Sequence, residues 1–418
     1  MKIGIIGLGK LGLPVAIAIQ NRGHEVLGFD THPKFQNIST TSLLPIPCEK
    51  NEDKTDTIKE LFSKHPIPIA KTLSDLVVHS DIIFVAIQTP HQERFEGHQP
   101  LPKERADFDY TPLARGMESL NAHIKKLDEQ KVVAIISTVL PGTLRREILP
   151  LLHSNVQLCY NPFFIAMGTV IYDFYNPEFV LLGHINAGAE VKVREFYNSI
   201  HKASIYATSL ENAELIKVAY NTFIGMKLTF VNVLMEMCHK TGCNVDHVTD
   251  ALKMANKRLI STKYLTAGMG DGGACHPRDN IAMSWLAQEL DLSHNFFDDL
   301  MMARERQTLW LADLIEEHSG RKRVYILGKS FKPETNITTG SPAILLYNLL
   351  KEKGRDDVVM YDPYIDSEAP QFKRGLYFIA TKHPEFLSFT FPPESTVLDP
   401  WRYILPQPTI NLIPVGSR

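Results

Sequence analysis

Cysteine is scarce and unpaired in this sequence. Cys48, Cys159, Cys238, Cys243 and Cys275 are scattered through 418 residues, with no Cys-x-x-Cys. An odd, dispersed set excludes a disulfide framework or a zinc ribbon and fits a reducing cytoplasm. The sixteen histidines form no His-Glu-x-x-His, so no metal is expected. Charge of one sign is missing too: 44 Lys and Arg against 47 Asp and Glu give −3, no case for nucleic acid or an anionic membrane. Short repeats and low-complexity tracts are absent. Residues 1–19 start with Lys2 and are apolar enough to imitate a signal peptide. Gly4, Gly7, Gly9 and Gly12 interrupt that run, and no later stretch is expected to approach membrane-spanning length.

What is present begins there. Residues 2–6 are a short isoleucine-rich run, the pattern of a buried parallel strand. Gly7-Leu-Gly9-Lys10-Leu11-Gly12 follows, then a helical stretch over 13–21, then a second strand over 25–29 ending at Asp30. Strand, Gly-x-Gly-x-x-Gly, helix, strand and acid in this order make a dinucleotide-binding unit. Gly7 permits the tight turn, Gly9 lets backbone reach a pyrophosphate, and Gly12 brings the helix close. Lys10 and Leu11 complete the turn. Asp30 would accept from the ribose hydroxyls and repel a 2′-phosphate, which favours NAD over NADP.

Further apolar runs over 81–87, 131–136, 156–160, 179–182 and 203–207 alternate with helical patterns at 73–79, 110–127 and 188–201. Residues 33–70 read as a long connection containing one helix. Ligands bind at the carboxyl ends of parallel strands. Thr89 and Thr138, both at such ends, are therefore cofactor-site candidates, although isolated threonines are more often caps.

From 210 the texture becomes helical. Residues 213–238 hold apolar positions at helical spacing without proline, and Lys217 and Asn221 lie four apart on one face. This long helix is a plausible dimer seam. After a linker near 317–322, apolar runs at 323–328, 358–362, 377–380, 395–399 and 409–413, with a helix over 342–353, make a second small parallel sheet. The class is α/β: two Rossmann-like, doubly wound parallel-sheet domains joined by a helical waist with a long central helix. The expected division is 1–208, 209–316 and 317–418.

Between the waist and the second sheet lies Tyr264-Leu-Thr-Ala-Gly268-Met-Gly270-Asp271-Gly272-Gly273-Ala-Cys275-His-Pro277-Arg278-Asp279-Asn280. Four glycines within seven residues of one cysteine make a loop with the thiol at its tip. A thiol near an ammonium is an activated nucleophile for a carbonyl carbon.

Together these marks resemble the UDP-glucose/GDP-mannose dehydrogenase family over nearly the whole chain. They are the Gly7/Gly9/Gly12 fingerprint with Asp30, Ser137-Thr138…Pro141-Gly142-Thr143, Asn161-Pro162 and Lys217…Asn221. Gly272-Gly273-x-Cys275-x-Pro277-x-Asp279, Phe331-Lys332-Pro333…Ser341-Pro342 and Tyr361-Asp362-Pro363-Tyr364 continue the series. The resemblance implies NAD as cofactor and oxidation of a nucleotide sugar at C6, through a thiohemiacetal and a thioester on Cys275, to a uronic acid. It places Lys217 and Asn221 at the developing oxyanion, Asp279 beside water and base, and Thr138 in the active site. Phe163, Phe164, Lys217, Tyr264, Gly272 and Lys332 fall on the substrate side. Residues 317–418 become the UDP- or GDP-sugar domain, and a homodimer forms through the long helix.

Departures from the pattern are equally specific. Phe163 stands where the family has a glutamate base, and Met167 where it has a second acid. Asn176-Pro177-Glu178-Phe179 imitates the motif but belongs to the entry of the next strand. Leu259, with Arg258 beside it, replaces an arginine that reaches a neighbouring subunit's substrate. Asp271 replaces an aromatic, Arg278 a lysine and Thr339 an arginine. An extra carboxylate and a lost arginine near a diphosphate imply an atypical sugar, nucleotide or reaction. Asp279 through water, or an acid from the 91–109 loop, is left to serve hydrolysis. Three readings follow: a 6-dehydrogenase making a uronic acid, a relative with altered end chemistry, and a weakly catalytic protein binding NAD and a nucleotide sugar. A β-hydroxyacid dehydrogenase, sharing only the first domain and the waist, is more distant.

Overall fold

The computed structural model describes residues 1–36, 57–256, 263–264, 266–291 and 295–417. Packing divides them into two compact units. One holds residues 1–90 and 108–219, the other 91–107 and 220–418. The division falls inside one continuous helix, Leu210–Thr241.

The first unit is built on a seven-stranded sheet. Its strands are β1 (Lys2–Ile6), β2 (Glu25–Phe29), β3 (Ile82–Val85), β4 (Lys131–Ile135), β5 (Val156–Tyr160), β6 (Val180–His184) and β7 (Ile205–Ser209). Their order is β2-β1-β3-β4-β5-β6-β7. All neighbours run parallel except β5 and β6, which pair antiparallel through Cys159↔His184 and Tyr160↔Gly183. This pair corrects the expectation of a wholly parallel sheet. β1 and β3 are apolar without alternation because helices cover both faces, and their side chains sink into a core shared with the Gly12–Asn21 and Ala187–Ile200 helices.

The second unit carries a five-stranded, all-parallel sheet. Its strands are β8 (Val324–Leu327), β9 (Val358–Tyr361), β10 (Leu376–Ile379), β11 (Thr396–Asp399) and β12 (Asn411–Pro414), in the order β12-β11-β10-β8-β9. Within each unit the chain therefore changes direction at the same place, between its first and third strands, where open α/β sheets leave a crevice. The Phe296–Ser319 and Pro342–Glu352 helices pack on the second sheet.

Two expectations change. The Leu210–Thr241 helix meets the length and hydropathy of a membrane span, with about half of its apolar window buried, which is also the profile of a core helix. Secondly, residues 91–107 follow β3 in sequence but pack with the second unit. Phe95 anchors them in a cluster with Ile281, Leu300 and Met301.

Candidate functional site

In the first unit the candidate residues begin at the turn after β1. Gly7 has φ +90°, and a Cβ there would meet the Ala86 carbonyl at 2.6 Å. A Cβ on Gly12 would lie 1.8 Å from the Gly7 carbonyl, so helix and turn can approach only without a side chain. Gly9 differs: a Cβ there meets nothing within 4 Å, so the turn is open above it. Lys10 is exposed and Leu11 packs on the core. Asp30 closes the turn, accepting the Leu8 N–H at 2.7 Å and the His32 N–H at 2.8 Å.

Thr89 and Thr138 meet, the buried Thr89 hydroxyl donating to the Thr138 carbonyl at 2.7 Å. Asn161 is buried and committed, donating to the Leu181 carbonyl at 3.1 Å and accepting the Tyr197 hydroxyl at 2.6 Å. Phe163 packs on the core with its ring 5.9 Å from that of Phe174, and Met167 packs there too. The Phe164 ring lies tilted at 4.8 Å from that of Phe179 and carries the Lys217 ammonium 5.3 Å above it. Asn176 ends the Val170–Tyr175 helix just before β6. Asp173 is the carboxylate of this neighbourhood, and it is spent on the Ala166 N–H and the Thr169 hydroxyl at 2.9 Å each.

In the second unit the candidate residues surround Cys275. The thiol is not at a loop tip: Cys275 is the first residue of the Cys275–Glu289 helix. Pro277 in the next positions misleads a sequence reader, yet proline is tolerated in a first helical turn, where amides have no intrahelical partner. Asp279, one turn further, is fully buried and accepts the Asn221 amide at 2.5 Å and the Arg278 guanidinium at 3.3 Å. Burial works against the Arg278 charge, but Asp279, Cys275 and Glu96 outweigh it and keep that guanidinium above its ordinary value. His91 packs against Arg278 and Asp279, and burial followed by the Arg278 charge pushes it down to about 4.

The glycines here answer to crowding. A Cβ on Gly268 would strike the Trp401 ring at 2.0 Å, and one on Gly272, at φ +111°, would strike His276 at 2.3 Å. A Cβ on Gly225 would come within 3.2 Å of the Asn280 amide, so the long helix and the thiol's helix pack closely at that glycine. Tyr264 sits at φ 63°, half exposed. Phe331, beside Lys332, comes within 3.9 Å of a Cβ placed on Gly273.

Several supports went unread in the sequence. Asn232 accepts the Gly268 N–H at 3.0 Å and donates to the Gly270 carbonyl, and Gln307 donates to the Gly268 carbonyl at 3.3 Å. The signal for Asn232 was its spacing: 221, 225, 228 and 232 form one stripe on a helix. Arg304 binds Asp271 at 2.9 Å and the carbonyls of Gly97 and Gly340 at 3.1 and 3.2 Å. Asp271 is thus a buried, paired structural acid, which corrects its reading as a carboxylate facing a diphosphate. The candidate pair Arg258 and Leu259 lies outside the described residues.

Residues 1–201 match the profile of the UDP-glucose/GDP-mannose dehydrogenase family's NAD binding domain, and residues 211–305 match its central domain. This chain belongs to the UDP-glucose/GDP-mannose dehydrogenase family. It is accordingly an NAD-dependent oxidoreductase of nucleotide sugars. The GDP-mannose 6-dehydrogenase of Pseudomonas aeruginosa is 28% identical over 366 residues, covering 85% of this chain and 79% of that protein. The UDP-glucose 6-dehydrogenase TuaD of Bacillus subtilis is 27% identical over 381 residues, covering 88% and 77%. A UDP-glucose dehydrogenase from Pyrobaculum islandicum shares the fold with a TM-score of 0.84 at 23% identity, over 100% of this chain and 98% of that one. NAD fits the residues present: the space left open at Gly9 and the Asp30 carboxylate at the end of β2 are the two features a dinucleotide needs.

Proposed function

We propose that this family member oxidises C6 of a nucleotide sugar to the carboxylate through a covalent bond to Cys275. Overall, the C6 alcohol and one water become the carboxylate, two NAD become NADH and three protons are released. NAD, when bound, supplies the hydride acceptor.

The observation that carries this reading is the first turn of the Cys275–Glu289 helix, which holds the thiol, Arg278 and the buried Asp279, with Asn221 of the long helix donating to Asp279. Lys217 stabilises the alkoxide as C6 loses its hydride and takes part in moving the hydroxyl proton. The Cys275 thiolate adds to the aldehyde carbon. Asn221, oriented by Asp279, donates to the resulting oxyanion. A second oxidation leaves a thioester, and water then breaks the C–S bond and restores the thiol. Thr138 and Thr89 border the cofactor. Phe163, Phe164, Tyr264, Gly272 and Lys332 line the sugar nucleotide, with residues 317–418 as its domain and 1–208 holding NAD. Exposed Leu215, Phe223 and Phe230, at spacings of eight and seven along the long helix, support a homodimer there. The described cysteines are all free, in keeping with a cytoplasmic enzyme.

A second reading rests on Phe163. A ring packed on the core cannot activate water, which favours a slow or altered last step: release of the aldehyde, or transfer of the acyl group to another nucleophile. Incubation with NAD and a panel of UDP- and GDP-sugars, with NADH counted per sugar and intact protein mass recorded, separates the two. Two NADH with free acid support hydrolysis; one NADH, or a lasting adduct on Cys275, supports the second. Turnover of two NADH per sugar by Cys275→Ser would end the covalent reading.

A further inference from the structure

The groups assigned to catalysis do not account for Glu214. It lies on the Leu210–Thr241 helix, one turn before Lys217, and is fully buried. Its two carboxylate oxygens accept from separate amides of the segment that follows β4: Gly142 N–H at 2.6 Å and Leu144 N–H at 2.8 Å. Those amides open the turn Leu144–Ile148, whose own Thr143 side chain gives it no cap. A carboxylate from another helix does the capping instead. The near end of the same segment is fixed independently. Ser137 donates to the Ile87 carbonyl, Thr89 donates to the Thr138 carbonyl at 2.7 Å, and the Tyr110 hydroxyl accepts the Leu140 N–H at 3.2 Å.

We propose that Glu214 is a positioning residue that locks the Thr138 segment in register with the Lys217 turn of the long helix. This rests on the proposed roles of Thr138 and Lys217. The carboxylate offers each amide a full-strength acceptor, whereas protonation turns one of the two oxygens into a hydroxyl, a donor and a weaker acceptor. Registration is therefore a property of the ionised form. Burial, and then the Glu211 charge, raise the Glu214 pKa to about 7, against the two amide hydrogen bonds and Arg146. Arg145 pairs with Glu211 and lies within reach of the Glu214 charge. Registration is thus complete above neutrality and lost below it. Stability follows the opposite sign: a carboxyl whose folded pKa is raised contributes stability below its unfolded value of 4.5, and that stability is lost as pH rises through 7.

That opposition supplies the test. Full-length wild type, Glu214→Gln, Glu214→Asp and the surface control Glu211→Gln are compared with NAD and whichever UDP- or GDP-sugar the wild type turns over. Glu214→Gln is expected to lower kcat about tenfold to a hundredfold with KM for NAD within about twofold, and to erase the rise of kcat between pH 6 and 8. Its Tm at pH 8 should equal or exceed the wild type's. Glu214→Asp, charged but one methylene shorter, should lose part of kcat, and Glu211→Gln should match the wild-type kcat at pH 8, with its pH profile moved to lower pH because a charge that raises Glu214 is gone. Amide hydrogen exchange at Gly142 and Leu144 needs no turnover: protection should fall about tenfold from pH 8 to 6 in wild type and be low at both in Glu214→Gln. A wild type inactive on every sugar would sink the proposed function, while exchange would still judge the lock. Wild-type kcat in Glu214→Asp, pH-independent exchange in the wild type, or equal loss of Tm and kcat in Glu214→Gln would overturn the proposal.

Discussion

The two sheets begin with the same turn, and the difference between the copies shows which one is built for a ligand. After β1, Gly7 N–H donates to the Phe29 carbonyl at 2.9 Å, and Asp30 at the end of β2 accepts Leu8 N–H. After β8, Gly328 N–H donates to the Tyr361 carbonyl at 2.7 Å, and Asp362 at the end of β9 accepts Lys329 N–H at 2.7 Å. Each aspartate also accepts the N–H two residues on, from His32 and from Tyr364. The third residue of the turn separates them. Gly9 faces open space, whereas Ser330 is buried and its hydroxyl lies 3.1 Å from His383 Nε2. His383 accepts the Glu334 N–H on Nδ1, which leaves Nε2–H to face Asp362 at 3.1 Å. One turn is open at its third residue; the other is filled by a buried Ser330–His383–Asp362 cluster. A shared turn is thus a fold feature, and the open third residue is what sets the copy in the NAD binding domain apart. A nucleotide held by the second sheet must use groups outside this turn.

The largest effect follows from filling. Asp362→Ala strands the Nε2–H of His383 and three backbone N–H groups, which should cost about 3–5 kcal/mol of unfolding free energy. Urea unfolding measures it, and a loss below about 1 kcal/mol would make the second turn as loosely built as the first.

Acid gives the next effect. Burial opposes the Asp362 charge, but hydrogen bonds from His383, Lys329 and Ser330 win and hold its pKa at about 2. Because the folded value lies below the unfolded one, this stability is present above about pH 4 and lost as pH falls toward 2. Against an ordinary value of 3.8, it amounts to about 2.5 kcal/mol. Asp362→Asn should flatten stability over that window; an unchanged acid transition would count against the cluster.

Asp30 should behave in the reverse manner. It is half-buried, so Asp30→Ala should cost about 1 kcal/mol of stability. It should also raise KM for NAD about tenfold and relax discrimination against NADP, since no carboxylate would meet a 2′-phosphate. The ratio of kcat/KM for the two cofactors reads this directly.

Much of this organisation was legible because it is local. Apolar runs located the strands, the glycine fingerprint located the open turn, and helical spacing located the Lys217–Asn221 face. What stayed hidden is long-range. Nothing near Asp271 announces that Arg304, 33 residues on, neutralises it. Nothing in β6 tells of its antiparallel pairing, and nothing in residues 91–107 of their packing with the second unit. Cys275 was misplaced for a chemical reason: Gly-Gly-Ala followed by His-Pro reads as a breaker, but at a helix start it costs no hydrogen bond. The filled second turn was hidden too, since Ser330 and His383 are 53 residues apart.

The smallest effect on stability is also the sharpest test of vacancy. Gly9 is not among the residues with positive φ, and a Cβ there touches nothing within 4 Å. Gly9→Ala should therefore leave Tm unchanged or raise it slightly, with up to about 1 kcal/mol of added stability, through the lost entropy of the unfolded chain. The same methyl would occupy the space a pyrophosphate needs, so NAD affinity should fall about tenfold or more. Gly12→Ala is the contrast: its Cβ would meet the Gly7 carbonyl at 1.8 Å, so fold and cofactor should fail together. Calorimetric titration with NAD beside a thermal melt separates the outcomes. A Gly9→Ala variant that keeps both its Tm and its NAD affinity would show that the emptiness of the first turn is incidental, and the distinction between the two sheets would have to rest on Asp30 alone.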